Sequence, residues 1–337
     1  MKIIHNQSLI TFNTFKIDAI AKYFVEVQIV DELLELIQKP EFRSNNKLII
    51  GGGSNLLFTK DYDGIVIKIN IKGIELISDD SQFSVLKVGA GEVWHEFVQY
   101  CINNNLSGIE NLSLIPGNVG ASPIQNIGAY GVEVKDYIQS LEAVNVLDGT
   151  IKSFSNAECA FGYRDSIFKK EEKNKWIITY VVFRLSKKPV LNTSYGAIND
   201  ELVRQNLEPS IKNISKVVID IRRSKLPDPN EIGNAGSFFK NPVVSNDKLD
   251  ELKMNFPNIP NYPQDSNSIK LAAGWLIEQC GWKGKVVGNT GSHKHQALVL
   301  VNYGNASGNE IKELAEKIQS SVYEKFGVNI EPEVNMI

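Results

Sequence analysis

Several stretches of this chain hold small or polar residues in patterns that chemistry can use. Gly51-Gly52-Gly53-Ser54-Asn55 follows an apolar run at 47–50. Consecutive glycines let several main-chain N–H groups converge on one point, an anion nest suited to a pyrophosphate. The spacing is not the G-x-G-x-x-G of a dinucleotide fold, and the same triplet also serves as a tight turn between strands. The segment 114–131, LIPGNVGASPIQNIGAYG, has no charged residue, four glycines and two prolines. It fits the neutral wall of a pocket for a large dinucleotide cofactor, where main-chain N–H groups and amides meet phosphates and a flat ring. The alternative is a buried connector. A second small-residue turn, Val88-Gly89-Ala90-Gly91, adds to the cofactor reading.

Other residues suit an anionic substrate. Arg164 sits in Phe161-Gly162-Tyr163-Arg164-Asp165-Ser166, a polar turn with aromatics where a guanidinium can grip a carboxylate, or simply pair with Asp165. Ser237, in Gly233-Asn234-Ala235-Gly236-Ser237-Phe238-Phe239-Lys240-Asn241-Pro242, offers a hydroxyl to an apolar pocket as proton donor or nucleophile. The segment is not a G-x-S-x-G elbow and the four histidines sit in no recognisable triad order, which argues against a serine hydrolase. Glu331 and Glu333 are two apart and share a face if extended, although acids near a chain end are mostly solvated. His293-Lys294-His295 has no third ligand at metal spacing and reads as a polar turn; no metal site is assigned.

The elements that must position these groups are mixed. Alternation marks strands at 64–71, 84–88, 176–185 and 217–221. Helical spacing appears at Trp94, Phe97, Val98 and Cys101, across 271–279, and from Ile311 to Phe326 with Gly327 as a left-handed cap. The sequence SKLPDPNEIGNAGS at 224–237 cannot continue a regular element. The expected organisation is a first region over 1–205 in two subdomains split near 70, joined by 311–337, and a second domain over 215–310.

Composition bounds the rest. The 337 residues include 36 Lys+Arg and 39 Asp+Glu, a net charge of −3, with 42% hydrophobic and 22% charged residues. That excludes a disordered chain, and the near-neutral balance argues against a nucleic-acid binder. No apolar run is long enough to span a bilayer, and no secretory signal is evident. Cys101, Cys159 and Cys280 are odd in number and far apart, which points to no disulfide framework and to a cytoplasmic setting.

Asn13-Thr14-Phe15, GGGSNLLF at 51–58, IPGNVGASPIQNIGAYG at 115–131, GYRDSIFK at 162–169, SKLPDP at 224–229, GNAGSFFKNP at 233–242 and EPEV at 331–334 occur in this order. Together they resemble the UDP-N-acetylenolpyruvoylglucosamine reductase family over nearly the whole chain. The resemblance implies an α+β fold: an FAD-binding domain of the vanillyl-alcohol-oxidase (PCMH-like) type and a smaller α+β substrate-binding domain. It implies non-covalent FAD, NADPH as co-substrate, and reduction of an enolpyruvyl UDP-sugar to UDP-N-acetylmuramate for peptidoglycan, with no obligatory protein partner. Gly51, Gly52, Gly53, Ser54, Asn55, Pro116, Gly117, Gly120, Ala121, Ser122, Gln125, Asn126, Gly128, Ala129 and Tyr130 are then expected to hold FAD. Arg164 matches the arginine that stabilises charge developing on the substrate, Ser237 the serine that protonates C2, and Glu333 the glutamate that polarises the same region. Tyr163, Tyr195, Lys225 and Asn241 are expected at the substrate, Tyr195 in a loop found in one subclass. Asn335 stands where the family often has arginine. An oxidase of the same fold and a non-catalytic sugar-nucleotide-binding protein are the alternatives.

Overall fold

The computed structural model describes residues 1–194 and 196–337. Its contacts group Met1–Gln7, Ala21–Gly52 and Asp63–Arg222 into one unit, and Ser8–Ile20, Gly53–Tyr62 and Arg223–Ile337 into another.

The first unit holds two sheets. One has the spatial order Ile3–Ser8, Ile20–Val27, Tyr62–Ile69, Asn46–Ile50, the last two strands parallel with Lys47 opposite Ile65. The parallel pair is joined by the connection over 51–61, and helices Val30–Ile37 and Pro40–Arg43 link Ile20–Val27 to Asn46–Ile50. Leu33, Leu36, Ile37 and Phe42 from these helices pack with Ile65 and Ile67 of the sheet. The other sheet begins at Ile74. It is antiparallel, in the order Ile151–Ser155, Ile138–Asn145, Trp176–Ser186, Phe83–Gly89, Ile74–Asp79. Helix Trp94–Asn103 follows the Gly89–Gly91 turn and buries Trp94 and Phe97 against Phe183, with Phe97 and Phe183 ring centroids 4.8 Å apart.

The 217–221 segment is not a strand. It lies inside helix Ile211–Lys225, whose buried residues Ile211, Ile214, Val217, Val218 and Ile221 follow the 3–4 spacing of a helix face. The β-branched run imitates a strand only when its flanks are ignored.

The second unit carries an antiparallel sheet ordered Gly233–Ser237, Val299–Asn302, Thr290–Ser292, Val286–Val287, and a three-stranded sheet of Val243–Ser245, Ser268–Leu271 and Asn261–Pro263. Gly233–Ser237 is thus a strand, although its glycines and asparagine suggested irregular chain; a register shift between Asn234 and Ser237 accommodates them. Helix Ala273–Gln279 starts two residues later than expected because Leu271 ends a strand. Helix Gly308–Phe326 opens on a capping box of Ser307 and Glu310 and closes on Gly327 at φ 61°.

Residues 311–337, expected with the first region, group instead with the second unit. Phe326 packs on Phe256 and Trp275, at centroid distances of 4.8 and 5.9 Å. Asn335–Met336 pairs in parallel with Leu56–Leu57. The early segments 8–20 and 53–62 come to the C-terminal unit, not the reverse.

Candidate functional site

In the first unit three glycine-bearing turns meet. The 117–120 segment lies along the 89–94 turn: Gly120 N–H donates to the Ala90 carbonyl at 2.9 Å, Val119 N–H to Glu92 at 2.8 Å, and Trp94 N–H to Gly117 at 3.0 Å. Asn118 donates its carboxamide to the Gly91 carbonyl at 2.6 Å. The first turn abuts the same asparagine. A Cβ on Gly52 would lie 2.8 Å from Asn118 Oδ1 and 3.2 Å from Gly117 Cα, and one on Gly120 would lie 2.5 Å from Ala90 Cβ. Gly120 leaves no room for a side chain and Gly52 would take one only by displacing the Asn118 carboxamide, so main chain is the lining, as a pyrophosphate cradle requires. With no charge in 114–131, the surface suits a dinucleotide with a flat ring, and the residues present fit FAD. Gly53, Ser54 and Asn55 continue the first turn into the second unit. There Gly53, at φ 63°, accepts from Thr14 N–H at 3.2 Å, and a Cβ on it would fall 1.9 Å from the Phe12 carbonyl.

Within the loop the candidates divide. Pro116 and Ala121 are exposed, and Gly117, Gln125, Gly128, Ala129 and Tyr130 are half-buried. Ser122 and Asn126 are buried and turned to structural work. The Ser122 hydroxyl donates to the Val119 carbonyl at 2.8 Å. Asn126 donates to Glu133 at 3.0 Å and the Gly162 carbonyl at 2.8 Å, and accepts from Lys135 N–H. Its carboxamide thereby builds the arginine turn.

That turn is part of the same assembly. Arg164, at φ 54°, donates to the carbonyls of Asn126 (3.4 Å) and Gly128. Its guanidinium lies 5.5 Å from the Tyr163 ring centroid, and Ser166 donates to the Ile124 carbonyl at 2.6 Å. Asp165 pairs with Lys170. A Cβ on Gly128 would come within 2.8 Å of Arg164 Nη1, so glycine there makes room for the cation.

The second unit brings Ser237 and the C-terminal segment together. Phe239 bridges Pro332, Glu333 N–H donates to the Phe238 carbonyl at 2.7 Å, and Lys240 N–H donates to Glu331 at 2.9 Å. The two glutamates part here: Glu331 is exposed and lies 3.6 Å from Lys240 Nζ, whereas Glu333 is half-buried and its carbonyl accepts from Asn55 at 3.2 Å. Asn335 donates through both main chain and side chain to the Asn55 carbonyl, each at 3.1 Å.

Ser237 itself is exposed, not sunk in an apolar pocket. Phe238 and Phe239 are the buried residues, with Phe238 6.3 Å from the Phe15 ring. Upstream, Asn234 is buried; it donates to the Ile232 (2.8 Å) and Pro227 (3.2 Å) carbonyls and accepts from Gly236 N–H at 2.9 Å. It fixes the irregularity that delivers Ser237. Lys225 is exposed at the end of its helix. Asn241 accepts from Ala273 N–H at 3.0 Å and so caps helix Ala273–Gln279, a structural use the sequence reading did not foresee. The His293–His295 segment bends with Lys294 and His295 exposed, while His293 itself is buried; its ring lies 5.4 Å from that of His295, and burial holds it below the usual histidine range. Tyr195 lies outside the described residues. A cavity of about 630 Å³ in this unit is lined by Lys16, Asp61, Gly233, Asn302 and Gly308, at the far end of strand Gly233–Ser237 from the serine. Asn118 and Asn234 were not singled out in the sequence; an asparagine set among glycines was the available signal.

A family model for an FAD binding domain matches residues 21–155. In fold, the chain is similar to the solved UDP-N-acetylenolpyruvylglucosamine reductase of Thermus caldophilus, with a TM-score of 0.68 at 24% identity over 99% of this chain and 98% of that one. It is also similar to 6-hydroxy-D-nicotine oxidase of Arthrobacter nicotinovorans, with a TM-score of 0.56 at 12% identity over 97% and 86%. Fold and cradle define an FAD-containing oxidoreductase of α+β architecture and PCMH-like type. The model for the UDP-N-acetylenolpyruvoylglucosamine reductase C-terminal domain matches residues 228–337. Curated reductases of that name from Flavobacterium johnsoniae and Pseudomonas putida are 51% and 47% identical, covering 100% and 98% of this chain and 100% and 97% of their own. The chain belongs to the UDP-N-acetylenolpyruvoylglucosamine reductase family, whose FAD-dependent enzymes serve peptidoglycan precursor synthesis.

Proposed function

We propose that this chain reduces UDP-N-acetylglucosamine enolpyruvate to UDP-N-acetylmuramate with electrons from NADPH, and that Arg164, Ser237 and Glu333 carry the sugar-nucleotide half-reaction. The observation that supports this reading most is the single hydrogen-bonded assembly of Arg164 with the uncharged 114–131 loop. It fixes a cation on the same loop that supplies part of the cradle.

Gly51, Gly52, Gly53, Ser54, Asn55 and the main chain of 116–130 would hold FAD. When bound, FAD supplies the hydride chemistry that links NADPH to the enolpyruvyl double bond. Arg164 holds the substrate carboxylate and stabilises negative charge spreading into it, with its geometry fixed in advance by two main-chain carbonyls. Ser237 donates a proton to C2 from its Oγ. Glu333, whose N–H donates to the carbonyl of Phe238 next to Ser237, polarises the same region, and Tyr163, Tyr195 and Lys225 orient the sugar nucleotide. A serine hydroxyl is a weak acid, so exposure alone does not equip Ser237; substrate must exclude water from it on binding. The cytoplasm is the compartment that fits three unpaired cysteines.

Stopped-flow separation of the half-reactions tests the reading. Ser237→Ala is expected to leave flavin reduction by NADPH nearly intact and to slow reoxidation by the enolpyruvyl sugar nucleotide at least about 10²-fold. Equal loss in both halves would make Ser237 structural and remove its proposed role.

A further inference from the structure

Strand Trp176–Ser186 leads into helix Gly196–Arg204 through a loop that the proposed chemistry uses only at Tyr195. The loop sets out into solvent, with Lys188, Pro189 and Val190 exposed. It returns at Leu191, which packs, like Tyr130, on the cluster of Ile198, Leu202, Ile214 and Val218. Asn192 then ties it down through three polar groups. Its carboxamide donates to the Gly131 carbonyl at 3.1 Å. Its Oδ1 accepts from the Ser194 N–H at 3.3 Å and from the Ser194 hydroxyl at 2.8 Å. Its own carbonyl accepts from the Asn111 amide at 3.0 Å.

The same Asn111 amide donates to the Tyr130 carbonyl at 3.0 Å, so one carboxamide joins the end of the uncharged loop to the segment before Tyr195. Asn111 is buried in the turn Glu110–Leu112, beside the wholly buried Leu112. A side chain needed only for packing there would be apolar. Asn111 instead carries an Oδ1 that is buried with no hydrogen-bond partner among the described residues, and an unpaired buried acceptor is a cost. Its two donations are what offset that cost. Reversing the carboxamide would set its oxygen against two carbonyls, so its orientation is determined. Gly131 completes the fit: it lies at φ 78°, and a Cβ on it would come 3.1 Å from Asn192 Nδ2. All of these contacts fall within the first unit.

We propose that Asn111 and Asn192 are positioning residues that dock the Tyr195 loop on the cofactor loop, and that they set sugar-nucleotide affinity through Tyr195 rather than at the substrate itself. The inference rests on the reading of Tyr195 as a residue that orients the sugar nucleotide. Asn192 precedes Tyr195 by three residues, so fixing the one restricts where the other can go. A loose segment must be ordered when substrate binds, and that ordering subtracts from affinity; a segment docked beforehand avoids most of this loss. Tyr195 is assigned to the sugar nucleotide alone, so the tether is not required for flavin reduction by NADPH.

The test is equilibrium titration of oxidised holoenzyme with the enolpyruvyl sugar nucleotide, read by flavin absorbance, with NADPH reduction of the flavin timed separately. Asn192→Ala removes the bonds to Gly131 and Ser194 and is expected to raise Kd about tenfold, while flavin reduction stays within about twofold. Asn111→Leu keeps the volume without the donors and is expected to do the same. If Asn111→Leu does not yield folded flavoprotein, the half-buried Asn192 carries the test. A double-mutant cycle shows what the tether acts through: in a Tyr195→Ala background, Asn192→Ala should add less than about twofold. An unchanged Kd in Asn192→Ala overturns the proposal. So does a full tenfold loss added to Tyr195→Ala, or an equal loss in flavin reduction, which would make the asparagines structural. A Tyr195→Ala variant that binds the sugar nucleotide as wild type does would remove the parent reading, and the proposal with it.

Discussion

Arg164 and Ser237 are held in opposite ways. Arg164 sits in a left-handed turn, and main-chain carbonyls of the cofactor loop take up its donors. A glycine at 128 leaves the space its guanidinium fills. Ser237 is exposed; its position is set by the buried Phe238 and Phe239 that follow it and by the Asn234 carboxamide that precedes it. A guanidinium that must act on a substrate anion gains from being oriented beforehand, because reorganisation during the reaction is avoided. In the proposed role of proton donor Ser237 must stay reachable, so its neighbours carry the anchoring. The cation side should therefore respond to changes in packing, and the hydroxyl side to changes in backbone support.

The largest effect is expected at the two glutamates of the second region. Glu333→Gln should slow the sugar-nucleotide half-reaction by about 10² or more while NADPH still reduces the flavin. Glu331→Gln should stay within about twofold, because an exposed ion pair to Lys240 contributes little. Stopped-flow reoxidation of both variants checks the pair. The reverse ranking would reassign the role to Glu331.

Next comes the packing of the first region. Gly128→Ala puts a methyl 2.8 Å from Arg164 Nη1 and 3.0 Å from the Val132 carbonyl. The guanidinium end can yield, so we expect retained flavin absorbance and about a tenfold loss in the second half-reaction, typical of overpacking worth 1–3 kcal/mol. Unchanged rates would mean that Arg164 need not be pre-positioned.

Much of this was legible in the sequence. The uncharged 114–131 loop stands out by composition, because close main-chain approach demands glycine and excludes charge, whereas the arginine turn and the EPEV segment stand out through their place in the ordered set of family motifs. What was hidden depends on partners. Whether the carboxamides of Asn126, Asn241 and Asn234 face a ligand or main-chain groups is decided by segments up to 36 residues away, as with Asn126 and Gly162. Arg222 likewise meets Leu114 across 108 residues of sequence. The helix over 211–225 was hidden for a different reason: Val217, Val218 and Ile221 favour strands individually, and only the longer spacing from Ile211 shows the helical period.

The smallest effect we predict separates backbone support from chemistry at Ser237. Asn234→Ala removes two donated hydrogen bonds and the acceptor for Gly236 N–H, all within a buried site. Loss of such partners costs about 1–3 kcal/mol of stability. Gly236 lies at φ 70° with open space around its Cα, so packing does not hold the turn once the carboxamide is gone. Ser237 should then sample several positions, giving about a threefold slower reoxidation together with a lower Tm. Asn234→Asp distinguishes the two contributions. It keeps the acceptor for Gly236 but sets a carboxylate against the Ile232 and Pro227 carbonyls, so it should lose more stability than alanine while retaining more of the rate. A rate that follows stability across both variants would show that Asn234 only holds the fold and does not aim the serine.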